Sequence, residues 1–274
     1  MPELPEVETM VRDVRPLVLG RRIREATLSH TDVLRGVTRR RLLDTLRGAV
    51  IRDVTRRAKH AVIDLGPRRL VIQPGMTGNL LVFDRRLSPA ESRYAVLRAR
   101  LTGGVELVFR DVRRIGTLLL LDPRGWEAYD RALGPEPLDE GLTAEGFREQ
   151  LRHSRQAIKK ALMDQRRIVG VGNIYANEAL FAAGIDPSKP ADRVTPEAYT
   201  LLYREVRRIL RAAIAADGTT FRDYRTGTGE PGNFQLELMV YERQGERCRR
   251  CGTRLAGTHD IDGRITVFCH RCQG

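Results

Sequence analysis

Ile158–Gln165 (IKKALMDQ) and Val169–Glu178 (VGVGNIYANE) read together as a helix, a glycine-punctuated turn and a second helix. Gly170 and Gly172 permit close backbone approach there, and Asn173 stands where the second helix begins. Free N–H groups and the dipole at a helix start favour a phosphate, and Lys159 on the first helix is placed to reach the same phosphate run. Taken alone, the pattern also describes an ordinary helical hairpin with structural glycines.

Toward the N-terminus, Leu133–Leu138 (LGPEPL) holds two prolines and a glycine and reads as an interdomain linker. Ahead of it, from about Ile23 to Leu121, the patterns are mostly strands: Ala61–Leu65, Leu70–Gln73, Tyr94–Leu101, Val105–Arg110 and Thr117–Leu121. Thr102-Gly103-Gly104 marks a hairpin. In Tyr94–Leu101, alternation puts Ala95, Leu97, Ala99 and Leu101 on one face, with Arg98 and Arg100 opposite. These short strands predict a β-sandwich or flattened barrel. Before them, Val7, Met10, Val11 and Val14 share one helical face, Pro5 suits a first turn, and Pro16 and Gly20 stop the helix. Behind the linker the period turns helical, with Thr143, Ser154, Asn173 and Thr195 as expected N-caps and Gly184 and Gly218 as stops. There is no internal repeat and no low-complexity tract.

All four cysteines fall in the last 27 residues, as Cys248-Arg-Arg-Cys251, 17 further residues, and Cys269-His-Arg-Cys272. Two such knuckles match a four-thiolate zinc site; disulfides are the weaker alternative in a reducing compartment. A site with four protein ligands leaves no position for water, so one zinc ion here is structural and holds a hairpin. Arg264–Phe268 (RITVF) reads as its strand, with Arg254 and Arg264 available for phosphate.

Lys and Arg total 48 against 35 Asp and Glu in 274 residues, a formal charge of +13. That excess points to a polyanion, most often nucleic acid. No apolar stretch reaches membrane-spanning length and the acidic N-terminus is no signal peptide, so a cytoplasmic, nucleoid-associated protein without a membrane partner is expected.

The N-terminus carries the chemistry. Once Met1 is removed, Pro2 presents a secondary amine followed at once by the carboxylate of Glu3. An α-amino group titrates near pH 8, against about 10.4 for lysine, so an appreciable fraction is a free nucleophile at neutral pH. A secondary amine condensing with a sugar C1′ gives an iminium that has no N–H proton to lose, and Glu3 is close enough to act as general acid or base.

Five ordered blocks now stand together: Pro2–Thr9 (PELPEVET), Leu133–Leu138 (LGPEPL), Leu162–Phe181 (LMDQ…GVGNIYANEALF), Gly218–Asp223 (GTTFRD) and the terminal CxxC…CxxCQ. Nearly end to end, the chain resembles the bacterial formamidopyrimidine-DNA glycosylases, base-excision enzymes for oxidised purines. The leucine in its PELPEVE start is closer to that branch than to the related endonuclease VIII branch. The resemblance implies an α+β fold: an N-terminal helix plus β-sandwich catalytic domain over 1–132, a linker over 133–142, a helix–two-turn–helix domain with a lesion-covering loop over 143–234, and a four-cysteine zinc finger over 235–274. It implies a monomer acting on double-stranded DNA that contains oxidised purines.

The resemblance also implies the roles. Pro2 attacks C1′ of the damaged nucleotide while Glu3 manages protons as the base leaves, and the iminium then drives elimination of the 3′ and the 5′ phosphates. The nucleotide must leave the stack for this. Met76, Arg113 and Ile115 are the expected void fillers: Met76 replaces the flipped purine and Arg113 faces the orphaned base. Ile115 departs from the phenylalanine usual there; it still wedges but cannot stack. Gln73-Pro74 also departs from the usual His-Leu. Lys59 aligns with a lysine that contacts the lesion's phosphate and assists turnover, and Glu6 with an acid near the active-site water. Asn173 and Arg264 are the expected phosphate ligands, and Thr220 the residue that reads the oxidised base. Two other readings follow from the departures: the same scaffold with specificity shifted to oxidised pyrimidines or abasic sites, and a catalytically weak DNA-damage-binding protein. The joint presence of Pro2, Glu3, Lys59, Asn173 and Arg264 argues against the binder, which has no use for an N-terminal secondary amine.

Overall fold

Helix α1 (Leu4–Val18) opens the computed structural model, which describes residues 2–85, 87–219, 226–227, 229–230 and 232–274. Glu3 caps it through a capping box with Glu6, and Pro5 lies in the first turn, where its missing N–H costs nothing. Leu4, Val7, Met10, Val11, Val14 and Val18 are buried. Pro16 does not end the helix as expected: α1 continues to Val18 and the Leu19 N–H still bonds the Arg15 carbonyl. Complete burial of Val18 explains this. Its removal from water is worth about 1.5–3 kcal/mol, enough to offset much of the hydrogen bond that a proline withholds.

The first of two compact units comprises Met1–Arg131 and Ala216–Gln235. It contains β1 (Ile23–Leu28), β2 (Leu34–Arg35), α2 (Arg39–Leu46), β3 (Asp53–Arg57), β4 (His60–Asp64), β5 (Arg69–Gln73), β6 (Gly78–Phe83), α3 (Pro89–Ser92), β7 (Ala95–Leu101), β8 (Glu106–Asp111), β9 (Thr117–Leu121) and α4 (Pro123–Arg131). The strands form a four-stranded sheet, β1-β7-β8-β6, and a five-stranded sheet, β2-β9-β5-β4-β3. Among the described residues, only the short β2–β9 pairing is parallel. One apolar cluster draws on α1 and both sheets, as a sandwich requires.

The alternation in β7 is broken by a bulge: Ala95 opposes Arg110 and Leu97 opposes Phe109, leaving Val96 as the extra residue. Val96 therefore joins Leu97, Ala99 and Leu101 in the core cluster. Strict period-two reading had put Ala95 there instead.

The second unit is Ala132–Ala215 with Leu236–Gly274. It holds α5 (Ala144–Leu151), α6 (Ile158–Leu162), α7 (Asn173–Ala182), α8 (Pro196–Ala215), and the paired strands β10 (Ala256–Thr258) and β11 (Thr266–Phe268). Thr143 caps α5 through the Gly146 N–H, and Thr195 accepts from Ala198 at the start of α8. Ser154 and Asn173 are not caps. Ala157 and Gly172 hold those positions, because the Ser154 hydroxyl closes a turn with Gln156 and the Asn173 amide is committed elsewhere. The expected division grouped 219–234 with the helices, whereas contacts group Ala216–Gln235 with the sandwich.

Gln165 builds the turn between α6 and α7. Its Nε2 donates to the carbonyls of Met163 and Val171, and its Oε1 accepts the Gly170 N–H at 2.8 Å. Gly170 sits at φ +82°, in the left-handed region. Gly134 packs against the same turn: a Cβ there would meet the Arg167 carbonyl oxygen at 2.5 Å. The linker motif is thus also a packing surface.

Candidate functional site

Pro2 and Glu3 are buried at the head of α1. Glu6, one turn on and only 1% exposed, organises that head. Its Oε2 accepts the Glu3 N–H at 2.8 Å, and its Oε1 accepts the Thr219 N–H at 2.8 Å. One carboxylate therefore fixes both the residue after Pro2 and the start of the segment that follows Gly218. Gly218 has φ +80°, and a Cβ on it would lie 3.0 Å from Glu6 Oε1. Farther along α1, Asp13 accepts the Gly227 N–H at 3.2 Å. Burial pushes the Asp13 carboxyl above its usual range. Helix α1 thus anchors both described flanks of 220–225. Thr220 lies outside the described residues.

Met76, Arg113 and Ile115 come together on two adjoining loops. Met76 is 44% and Ile115 43% exposed. The Arg113 Nη1 lies 3.4 Å from the Met76 sulfur. Beneath them is Asp111, 1% exposed, an acid with no local sequence signature. It accepts the Thr77 hydroxyl, the Arg113 N–H at 3.3 Å and the Gly116 N–H at 2.8 Å. Gly75 lets the loops touch, since a Cβ there would fall 2.8 Å from the Gly116 nitrogen. Gln73 is exposed at the end of β5, and its Oε1 accepts from the Thr117 hydroxyl.

Lys59 lies in the two-residue turn between β3 and β4. Arg56 ties that turn to α1 through Glu8 at 2.7 Å and donates to the Ala58 carbonyl at 2.8 Å. Next to Lys59, His60 is pushed down to about 4, by burial first and then by the Lys59 and Arg57 charges. An unfolded chain protonates this imidazole from about pH 6.5 downward while the native one resists. Stability is therefore expected to fall as pH drops from 6.5 to about 4, by at most ~1.4 kcal/mol per pH unit. His60→Gln should flatten that limb in denaturant titrations; an unchanged limb would assign the acid sensitivity to other groups.

In the second unit, Lys159 is not a surface phosphate ligand. Its side chain is fully buried, and Nζ donates to Thr266 Oγ1 at 2.7 Å and the Ile265 carbonyl at 3.3 Å, with Asp262 at 3.5 Å. A buried, partnered ammonium cannot be withdrawn to meet a phosphate without stranding Asp262. Lys159 instead docks the hairpin tip onto α6. Lys159→Met should cost about 3 kcal/mol in urea unfolding; a loss below about 1 kcal/mol would mean that the pocket tolerates losing the charge.

The half-buried Asn173 donates through Nδ2 to the same Ile265 carbonyl at 3.1 Å. Asn177, one turn later, accepts the Val267 N–H at 2.7 Å. These bonds seat β11 against the start of α7, bringing Asn173 beside the hairpin tip that carries the exposed Arg264.

The sulfur atoms of Cys248, Cys251, Cys269 and Cys272 all lie within 4.8 Å of one another, with 4.0 Å between Cys248 and Cys272 and 3.5 Å between Cys251 and Cys269. Zinc–sulfur bonds of about 2.3 Å in a tetrahedron require sulfur separations of about 3.8 Å. The donor set and its spacing fit a structural zinc ion. Two further groups hold the finger in place. The buried Gln273 accepts the Cys269 N–H and donates to the Ile185 carbonyl. Glu178, 4% exposed, accepts backbone N–H groups from Met239, Val240 and Tyr241. Both lie in motif blocks that were legible, but nothing in their spacing shows what they touch.

Residues 1–118 match the formamidopyrimidine-DNA glycosylase N-terminal domain, and residues 133–225 match the formamidopyrimidine-DNA glycosylase H2TH domain. A formamidopyrimidine-DNA glycosylase of Desulfitobacterium hafniense is 40% identical over 276 residues, covering all of both chains. Among solved structures, wild-type Lactococcus lactis Fpg (MutM) with a DNA containing N7-benzyl-Fapy-dG superposes with a TM-score of 0.89 at 31% identity, covering 99% of each chain. The same protein with a DNA containing an abasic site gives 0.89 at 32% identity, again over 99% of each chain. Among the described residues, no helix is long and apolar enough to cross a membrane.

Proposed function

This chain belongs to the formamidopyrimidine-DNA glycosylase family, and from that membership we propose that it is a bifunctional glycosylase and lyase that excises 8-oxoguanine and formamidopyrimidines from duplex DNA. The observation that carries the reading is the head of α1, where Glu6 holds the Glu3 and Thr219 backbones from one carboxylate. Such a clamp keeps the first residues, ordinarily the loosest in a chain, at a defined place.

With Met1 gone, the Pro2 nitrogen loses its proton and bonds to C1′ as the bond from C1′ to the base breaks. The C1′–O4′ bond then opens as Glu3 delivers a proton to O4′, leaving C1′ double-bonded to the Pro2 nitrogen as an iminium. The resulting iminium withdraws electrons from C2′. Loss of a C2′ proton then expels the 3′ phosphate, and a second elimination expels the 5′ phosphate, leaving a one-nucleoside gap. Met76, Arg113 and Ile115 occupy the space of the extruded nucleotide, held in register by Asp111. Asn173 and Arg264 bind backbone phosphate. Lys59 contacts the lesion's phosphate. Cys248, Cys251, Cys269 and Cys272 would hold a structural zinc ion that fixes the hairpin presenting Arg264 and, with four protein ligands, would leave no open position for the reaction. We likewise propose a monomeric, cytoplasmic enzyme divided into sandwich, helical domain and finger.

The exposure of Ile115 favours a change in damage search rather than in reaction class, since an isoleucine wedge gives up stacking but keeps bulk. The test is a panel of duplexes. Excision should be fastest on 8-oxoguanine or formamidopyrimidine opposite cytosine; faster excision of oxidised pyrimidines, or activity on abasic sites alone, would move the substrate class. Log affinity against log salt should slope at roughly −4 to −5 for four to six phosphates, and Arg264→Ala should reduce that slope by about one while leaving lesion preference intact. An unchanged slope would remove Arg264 from the phosphate contacts.

A further inference from the structure

The turn that carries Lys59 is gripped on both flanks by two consecutive residues of α4. On one flank the Tyr129 hydroxyl bonds His60 Nδ1, with the rings 5.8 Å apart. On the other, Arg57 Nε donates to Asp130 Oδ1 at 2.5 Å, and Nη2 reaches the Asp130 carbonyl at 3.5 Å. Helix α4 is itself braced, because Trp126 packs on Tyr129 at 5.5 Å and the Arg69 guanidinium of β5 lies 4.7 Å from the Trp126 ring. The turn needs such a grip, since Ala58 adopts φ +56°, a conformation that a residue with a Cβ seldom holds without outside support.

We propose that Tyr129 and Asp130 are positioning residues for Lys59, fixing the β3–β4 turn so that its ammonium stands at a set place relative to α1. The third tie, from Arg56 to Glu8, closes the frame on the α1 side. Lysine is a compact charge on a long, freely rotating stem, so the placement of its backbone decides how much of its reach is useful. His60 stays uncharged down to about pH 4, so the Tyr129 bond persists across the working range and adds no second charge beside Lys59.

This inference rests on reading Lys59 as a phosphate-side contact, and the experiment separates the two. Lys59→Met, Tyr129→Phe and Asp130→Asn are made singly, and each α4 change is combined with Lys59→Met. Single-turnover rates are read on a lesion duplex, with melting temperature and far-UV circular dichroism as fold controls. Tyr129→Phe and Asp130→Asn should each slow the reaction about fivefold, as loss of one hydrogen bond allows. Neither should slow it further when Lys59 is already methionine. Losses that multiply would show a merely structural role and overturn the proposal. A Lys59→Met enzyme at the wild-type rate would overturn the reading of Lys59 and the positioning role with it. If Tyr129→Phe fails to fold, the Asp130→Asn pair decides by the same criterion.

Discussion

A chain that retains Met1 is expected to lose base excision and strand cleavage together, by at least about 10³-fold, while remaining folded. In the retained form the Pro2 nitrogen is a tertiary amide whose lone pair is delocalised into the carbonyl, and it can neither attack C1′ nor carry an iminium. The fold does not depend on it. The cap of α1 is built from Glu3 and Glu6, and the bond from Thr219 to Glu6 uses the Glu6 carboxylate and not the Pro2 nitrogen. Loss of the two activities in parallel separates this account from one in which Glu3 or Lys59 supplies the nucleophile, since either would survive an extra residue. Gel assays on the processed and unprocessed forms, with matched melting temperatures, make the comparison. Glu3→Gln offers the complementary case: a loss of about 10²–10⁴ in excision, the range of a removed general acid or base.

Metal removal should have the second largest effect. Two strands of three residues each cannot hold a hairpin unaided, and structural zinc supplies an apparent ~10–16 kcal/mol in comparable small sites. Chelation, or Cys269→Ser, is therefore expected to unfold the finger and weaken duplex binding by about 100-fold, as Arg264 loses its platform. The sandwich should keep its protection in hydrogen exchange, because its core cluster shares no residue with the cluster that contains the four cysteines. Metal-free protein with native affinity would show that Lys159, Asn177 and Gln273 suffice to hold the hairpin.

The strands and helices that the sequence revealed are those whose burial follows a simple period. Thr117–Leu121 and the apolar face of α1 are of this kind, and the blocks around Pro2, Asn173 and the cysteines were legible as motifs. The misreadings have physical reasons. Val96 belongs to the core because a bulge shifts the register of β7, and a bulge depends on the partner strand. Lys159 looks like a surface cation in a helix until β11, about 107 residues later, arrives to bury it. Asp111 and Glu178 read as ordinary acids, yet Asp111 ties its own loop to the Thr77 hydroxyl, and Glu178 gathers three backbone N–H groups from a segment about 60 residues later. The clamp from Tyr129 and Asp130 on the Lys59 turn spans 73 positions in sequence and has no local signature. Local chemistry was readable; the groups that hold it in place were not.

The central claim is that the secondary amine of Pro2 is the nucleophile. Borohydride trapping on a duplex carrying 8-oxoguanine opposite cytosine, followed by mass mapping of the adducted peptide, tests it directly. The account predicts one covalent adduct on the peptide that begins with Pro2, absent when Met1 is retained. An adduct on Lys59, or none on either a lesion or an abasic duplex, would contradict it.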